Sequence, residues 1–159
     1  MRTSRLTLGL GTAAAAVLIG CVTAAQDPPP DFRFALPAEM QWTAHPIVPG
    51  AELAVLLGNP AQPEPAVVRM RFPAEVRIMP HTHPEARTYT VLTGEWKLGF
   101  GVRFDPDRML SFPAGSVYRL PAGVPHWQAT GVEGATIQIE SVGPSRTDFL
   151  DPADDPRRR

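Results

Sequence analysis

After residue 50 the chain breaks into nine short runs of apolar or alternating residues, separated by Gly, Pro and Asn. Runs of this length with a period of two residues are typical of β-strands. No stretch shows the periodicity of an amphipathic helix, so the sequence predicts an all-β fold. The runs are residues 51–57, 66–72, 74–79, 88–92, 96–100, 109–112, 116–120, 126–129 and 135–142.

Proline supports the same fold class, because most of the 19 prolines lie between these runs. A proline there removes no N–H that a sheet needs. Many short strands at regular spacing favour a sandwich, a jelly roll or a barrel. With 159 residues the chain has room for one domain, and a net charge of −1 gives no electrostatic reason to expect a nucleic-acid partner.

The first 25 residues are typical of a secretory signal peptide. Arg2 and Arg5 precede an apolar stretch at 6–19, and no acidic residue occurs before Asp27. Residues 18–21, which end at Cys21, resemble the lipobox of bacterial lipoproteins, in which the cysteine is lipidated. Ordinary cleavage near Ala24 is the alternative. We expect an exported protein, either periplasmic or held by a lipid anchor on the membrane facing the periplasm.

The remaining chain divides into three segments by composition. Residues 26–40 are proline-rich and suit an extended linker. Residues 41–145 hold all the predicted strands and form the predicted domain, and residues 146–159 are a polar C-terminal tail. Cys21 is the single cysteine, so no disulfide can stabilise the fold.

His81 and His83 are the first candidate site residues. In a strand, residues two apart point to the same face, so this pair can present two imidazoles to one point. Neutral imidazole is a good ligand for Zn, Cu, Fe and Ni. The pair therefore predicts the beginning of a metal site.

Two sequence motifs around these histidines resemble the two motifs of the cupin superfamily. The first cupin motif contains His-x-His, then a glutamate and a glycine; the second contains Gly, Pro-x-Gly, His and Asn. This chain matches at His81, His83, Gly94, Gly115, Pro121, Gly123 and His126. It departs at three positions: Glu75 stands where the first motif begins with glycine, Arg87 replaces the glutamate, and Thr130 replaces the asparagine. Small bacterial cupins of unassigned function are the most similar group.

The resemblance implies a single double-stranded β-helix, or jelly-roll barrel, with a ligand-sized interior. It also implies that His81, His83 and His126 hold a divalent metal such as Fe, Mn, Ni or Zn, with a small molecule as partner and a homodimer as the assembly. Gly115 and Gly123 follow prolines in turns that we expect to require a positive φ. That places His126 at the start of a strand.

Arg87 leaves three interpretations of the site open. In the first, three neutral histidines hold the metal, as in cupin-type thiol dioxygenases, and Arg87 binds a substrate carboxylate bidentately. In the second, Glu85 supplies the missing carboxylate and Arg87 turns outward. In the third, no metal binds, and the histidines with Arg87 form a polar pocket for an anionic small molecule.

Other candidates follow from their positions on the predicted strands. Tyr89 shares a face with Arg87, and together with Arg87, Glu85 and Trp127 it is predicted to contact the substrate. Trp96 is a candidate for the pocket wall. His45 lies outside both motifs and is interpreted as a loop residue. Nothing in the sequence identifies a catalytic residue.

Two functions of different class remain open at this point. One is a metal-dependent enzyme with dioxygenase-like or other chemistry on a small acidic molecule. The other is a non-catalytic module that binds or senses such a molecule, with or without metal. The fold alone does not separate them, because one fold supports many chemistries.

Overall fold

The structure, a computed structural model, describes residues 26–158 and is built from β-strands in antiparallel pairs. Residues 26–32 are extended apart from a turn at Pro30 and Asp31. The compact unit begins at Arg33. Its strands are β1 (Thr43–Ala44), β2 (Glu52–Leu57), β3 (Pro65–Phe72), β4 (Arg77–Thr82), β5 (Arg87–Phe100), β6 (Leu110–Pro113), β7 (Val117–Leu120), β8 (His126–Val142) and β9 (Asp148–Phe149).

The all-β prediction is confirmed, and the described residues contain only short 3₁₀ turns as helical structure. Two pairs of predicted runs are single long strands, β5 and β8. Glycine separates the runs in each pair, yet β5 continues past Gly94 by shifting its register against β8, as at a β-bulge. The two-residue strands β1 and β9 carry no sequence signal. No helix among residues 26–158 is long and apolar enough to cross a membrane.

Strands β5 and β8 form the centre of the sheet. The strand order is β1-β2-β3-β8-β4-β9, and β5 pairs with β8 along most of its length and with β6 and β7 on its other side. The second half of β8 pairs with β3, and its first half pairs with β4. Strand β8 pairs with β3, β4 and β5, and the sheet is curled. Its concave side encloses the interior of the domain.

The hydrophobic core lies on this concave side. Ile137 and Ile139 of β8 are buried, whereas Gln138 points away and accepts a hydrogen bond of 2.7 Å from Arg69. The alternation along β8 therefore places isoleucine inside and the polar residues outside. The other large buried side chains of the core are Phe72, Tyr89, Val91, Trp96 and Leu120.

Three turn positions bear on the sequence motifs. Gly115 and Gly123 have φ values of +90° and +72°, which confirms the prediction of positive φ in these turns. Glu75, at the leading-glycine position of the first motif, has φ of +55° and is the one described non-glycine residue with positive φ. The turn thus retains the backbone conformation that glycine adopts without strain.

The segment after residue 145 folds back along β4. Strand β9 pairs with His81 and Thr82, and the Leu150 N–H donates to the carbonyl of Pro80 at 3.0 Å. Asp155 is buried and forms a bidentate ion pair with Arg157. Within the predicted C-terminal tail, Asp148–Phe149 thus form the edge strand of the sheet, and Pro152–Asp154 and Pro156–Arg158 are 3₁₀ turns.

Candidate metal centre

His81, His83 and His126 lie together, as the motif spacing predicts. His81 and His126 are directly opposite each other in the pairing of β4 with β8, and His83 follows β4 immediately. Their ring centroids are 4.1 Å apart for His81 and His126, 4.9 Å for His81 and His83, and 5.0 Å for His83 and His126. One ligand nitrogen from each ring lies within 4.8 Å of the others.

Each of the three imidazoles uses its Nδ1 atom in a hydrogen bond with a backbone carbonyl. The acceptors are the carbonyls of Met79 for His81 at 2.7 Å, of Arg146 for His83 at 2.8 Å, and of Val124 for His126 at 2.9 Å. A carbonyl can only accept, so the hydrogen bonds assign the proton of each ring to Nδ1. Nε2 is therefore the unprotonated nitrogen of all three rings; that of His126 has no hydrogen-bond partner among the described residues, and that of His83 accepts from the Tyr89 hydroxyl at 3.4 Å.

The environment keeps these histidines neutral. Burial lowers the pKa of His81 from 6.5 to about 3, with a further contribution from His126, and lowers the pKa of His126 to about 4. Burial and the charge of Arg87 hold the pKa of His83 far below its ordinary value. At neutral pH the cluster offers three uncharged nitrogen donors, which is the protonation state that a metal requires.

The geometry of the cluster suits one metal ion. The Nε2 atom of His126 is buried and has no hydrogen-bond partner in the described chain, which leaves a buried acceptor unsatisfied. Metal–nitrogen bonds of about 2.0–2.2 Å place cis ligands roughly 3–3.6 Å apart. The ligand nitrogens, which lie within 4.8 Å of one another, would have to move closer together, by up to about 1–2 Å, to hold an ion. No Asp or Glu of the described residues joins the group.

Arg87 faces the interior beside this cluster, but its charge is already paired. The side chain is 7% exposed, and its Nε donates to Oε1 of Glu85 at 2.7 Å. Its Nη2 donates to Ser145 Oγ at 2.8 Å and to the carbonyl of Arg146 at 3.1 Å. The outward orientation of Arg87 that accompanied a Glu85 ligand is therefore wrong, because the guanidinium is buried and holds Oε1 of Glu85, and Glu85 does not join the histidine group.

The same contacts bear on the expected role of Arg87. A guanidinium grips a carboxylate bidentately through two neighbouring N–H groups, and the edge formed by Nε and Nη2 is occupied by Glu85 and Ser145. In this structure that edge is not open to a substrate carboxylate, and bidentate binding of a substrate by Arg87 stays a prediction. Nη1 is the nitrogen of Arg87 that has no hydrogen-bond partner within residues 26–158, and the side chain lines the cavity described next.

A cavity of about 340 Å³ opens next to the histidines. Its wall includes His81, His83, Arg87 and Tyr89, so these predicted site residues are brought together. Tyr89 is 1% exposed, its ring stacks on Tyr118 at 4.8 Å, and its hydroxyl lies 3.4 Å from Nε2 of His83. Trp96 also lines the cavity, as predicted for a wall residue.

Trp127 does not reach the cavity. It follows His126 in β8, and successive side chains of a strand point to opposite faces. Its indole lies against Gly99, where a Cβ atom would come within 2.3 Å of Nε1, and its ring centroid is 6.2 Å from that of Phe104. Trp127 thus packs on the other side of the sheet from His126, away from the residues predicted to bind substrate.

Comparison with protein-family models and with curated proteins gives no match to this sequence. Solved structures do match. The polyketide cyclase RemF from Streptomyces resistomycificus superimposes with a TM-score of 0.64 at 16% identity, over 80% of this chain and 91% of RemF. An RmlC-like cupin from Shewanella frigidimarina gives 0.56 at 18% identity, over 70% of this chain and 91% of its own. The chain has the cupin fold.

Another match is to an enzyme with a longer chain. Oxalate decarboxylase from Lactobacillus farciminis gives a TM-score of 0.54 at 19% identity, over 75% of this chain but 35% of its own chain. At these identities the likeness concerns the fold. The position of the histidine cluster is observed in this chain's own residues.

Several residues that line the cavity were not predicted. His45, interpreted as a loop residue, lines the cavity, and its Nδ1 accepts hydrogen bonds from the N–H groups of Ile47 at 3.3 Å and Val48 at 3.1 Å. Burial and the charge of Arg87 lower its pKa to about 4. Ser145, Arg146, Thr147 and Arg157 also line the cavity. They follow the last predicted strand, and no local pattern marks a segment that returns to β4.

Proposed function

We propose that this cupin is exported and binds one divalent metal ion through the Nε2 atoms of His81, His83 and His126. The open coordination positions of the ion would face a small acidic molecule in the adjacent cavity. The observation that carries the proposal is the common hydrogen bonding of the three rings: every Nδ1 donates to a backbone carbonyl, so every Nε2 is the unprotonated nitrogen that could bind a metal.

Hydrogen bonds of this kind are the usual support of metal-binding histidines, because they fix the ring orientation and the tautomer. Three neutral imidazoles suit Fe, Mn, Ni or Zn and leave positions open. When bound, such an ion supplies Lewis acidity at those positions. The Glu85 carboxylate lowers the electrostatic cost of a dication near Arg87, since the ion pair has no net charge.

The cavity wall favours an acidic ligand. It contains three arginines, Arg87, Arg146 and Arg157, and no aspartate or glutamate among the described lining residues. Their carboxylate partners, Glu85, Asp148 and Asp155, lie outside the wall. A bound dication would supply unpaired positive charge beside these guanidinium groups, and positive charge in a cleft attracts anions. Among the structural neighbours, oxalate decarboxylase acts on a small acid, as its name states.

Metal content of the purified protein without residues 1–25 tests this proposal. After removal of metal and dialysis against Fe(II), Mn(II), Ni(II) or Zn(II), the parent protein is expected to retain about one ion per chain with at least one of them. His83→Ala is expected to reduce retention at least tenfold, because two imidazoles cannot replace three. His45→Asn removes an imidazole from the same cavity but not from the cluster, so it should retain as much as the parent. Equal retention by parent and His83→Ala would contradict the proposal.

Export is the part of the proposal that rests on the sequence alone. Residues 1–25, with the lipobox-like sequence at 18–21, lie outside the residues that the structure describes. The basic start, the apolar stretch and the small residues before Cys21 support a signal that places the protein in the periplasm or on a lipid anchor facing it.

A further inference from the structure

One side of the cavity is a continuous apolar wall built from three neighbouring strands. In the register of β2, β3 and β8, Leu53 lies opposite Met70, and Met70 lies opposite Ile137. One step along, Val55 lies opposite Val68, and Val68 opposite Ile139. Residues opposite each other in antiparallel strands share a face. All six side chains line the cavity, in two rows of three.

Part of this apolar wall is left uncovered. Ile137, Ile139 and Val68 are buried, but Leu53 and Met70 are only half-buried and Val55 is 45% exposed. Apolar surface in contact with water is unfavourable, and a ligand that covers it gains affinity in proportion to the area that it buries. The wall is therefore suited to an apolar group of the ligand.

The apolar wall runs directly into the polar end of the cavity. Tyr89 of β5 lies opposite Ile139 of β8, and Arg87 lies opposite Ser141. The Tyr89 hydroxyl is 3.4 Å from Nε2 of His83. One strand pair thus connects the apolar side chains to the histidine cluster, so a ligand bound at the metal would extend along the wall.

We infer that the ligand of this cavity is an organic acid with an apolar body, whose acid group meets the metal and whose body lies against Leu53, Val55 and Met70. This inference rests on the proposed function and specifies the class of ligand. The cavity of about 340 Å³ is within the range of small-molecule sites and leaves room for more than a chelating head group. A small, wholly polar diacid would leave the wall uncovered.

Two hydroxamates with one chelating group and different bodies test the inference. Acetohydroxamate carries a methyl group and benzohydroxamate carries a phenyl ring. Both are titrated into the Co(II)-loaded protein, and the visible absorption of Co(II) reports binding. We expect benzohydroxamate to bind at least about tenfold more tightly, because the phenyl ring covers the apolar wall.

A matched pair of variants distinguishes the effect of the apolar wall on hydroxamate affinity from the general effects of a Leu→Gln substitution. Leu53→Gln places an amide in the wall and is expected to weaken benzohydroxamate about tenfold while leaving acetohydroxamate unchanged. Leu110→Gln makes the same change at an exposed leucine of β6 that does not line the cavity, so both affinities should stay at the parent values. Thermal melting of each variant checks that the fold is retained.

The outcomes distinguish the inference from the function on which it rests. A parent protein that holds Co(II) but binds the two hydroxamates equally, or a Leu53→Gln variant indistinguishable from Leu110→Gln, overturns the inference and leaves the metal site standing. A protein that retains neither Co(II) nor any of Fe(II), Mn(II), Ni(II) and Zn(II) before hydroxamate is added overturns the proposed function and the inference together.

Discussion

Arg87 and Glu85 form an ion pair with both side chains 8% exposed, next to the three histidines. The pair is completed by Ser145, which donates to Glu85 Oε1 and accepts from Arg87 Nη2. The second carboxylate oxygen of Glu85 is buried and has no hydrogen-bond partner in the described chain. Buried pairs of this kind cost desolvation free energy and are destabilising mainly when one partner is removed.

Removal of Arg87 alone is therefore expected to destabilise the protein strongly. Arg87→Met leaves the Glu85 carboxylate buried without its cation and should reduce the free energy of unfolding by about 3–5 kcal/mol. The double variant Arg87→Met with Glu85→Met removes both charges and should recover most of that loss. Urea denaturation of the metal-free protein, followed by tryptophan fluorescence, measures both values. A single variant within about 1 kcal/mol of the parent would show that the pair is not a stabilising unit.

At the scale of residues, the sequence predicted those site residues whose positions follow from their spacing along the chain. His81, His83 and His126 stand in motifs whose spacing indicates their convergence, and the alternation of a strand relates Tyr89 to Arg87. His45 and Ser145 could not be predicted, because they reach the cavity through long-range folding. Trp127 was placed in the site because it follows His126, although neighbouring residues of a strand face opposite ways.

At the scale of elements, the turn before β4 shows how a motif position can change residue and keep its conformation. Glu75 adopts φ of +55°, and its N–H donates to the carbonyl of Gly131 at 3.2 Å. A non-glycine residue in this region carries a steric cost of about 1–2 kcal/mol. The turn is held by the strands on either side of it, since nothing in Glu75 itself favours the conformation.

Glycine at this turn is expected to stabilise the protein. Glu75→Gly removes the steric cost but adds freedom to the unfolded chain, and the net gain should be about 0.5–1 kcal/mol. Glu133→Gly makes the same substitution in β8, where φ is not positive, and should lose about 0.5–1 kcal/mol. Thermal or urea denaturation compares the two variants with the parent. A loss of stability in both would show that Glu75 is not strained.

The strand pattern was predictable because apolar alternation is local, whereas the lengths of β5 and β8 were not. Glycine between two runs normally indicates a turn. Here the glycines lie within β5 and β8, which pair with each other on both sides of these positions. The register of the pairing shifts there, but neither strand ends. The short strands β1 and β9 exist only through their pairing with β2 and β4, so no property of their own sequence indicates them.

At the scale of the whole molecule, we propose that residues 1–25 are an export signal that precedes the domain with the cavity. If Cys21 is lipidated, the acyl chains would hold the protein on a membrane, because stable anchoring needs more than one chain. The fold class followed from the strand pattern and the motifs. The cavity depends on the segment after residue 145, whose return to β4 is a tertiary contact.

Fractionation of cells that express the full chain tests the anchor. The parent protein is expected in the membrane fraction, and Cys21→Ser is expected to lose that attachment because the lipidated thiol is gone. Ala24→Ser, a small change beside the alternative cleavage position, should leave the distribution as in the parent. Unchanged membrane attachment of Cys21→Ser would contradict lipidation.

The central claim is that one metal ion binds the unprotonated Nε2 atoms of the three histidines, and a crystal structure of the metal-loaded protein with anomalous scattering at the metal edge tests it most directly. The account predicts one anomalous peak about 2.0–2.2 Å from Nε2 of His81, His83 and His126, with Glu85 still paired to Arg87. A peak bound through Nδ1, a Glu85 ligand in place of a histidine, or no peak at the cluster would contradict it.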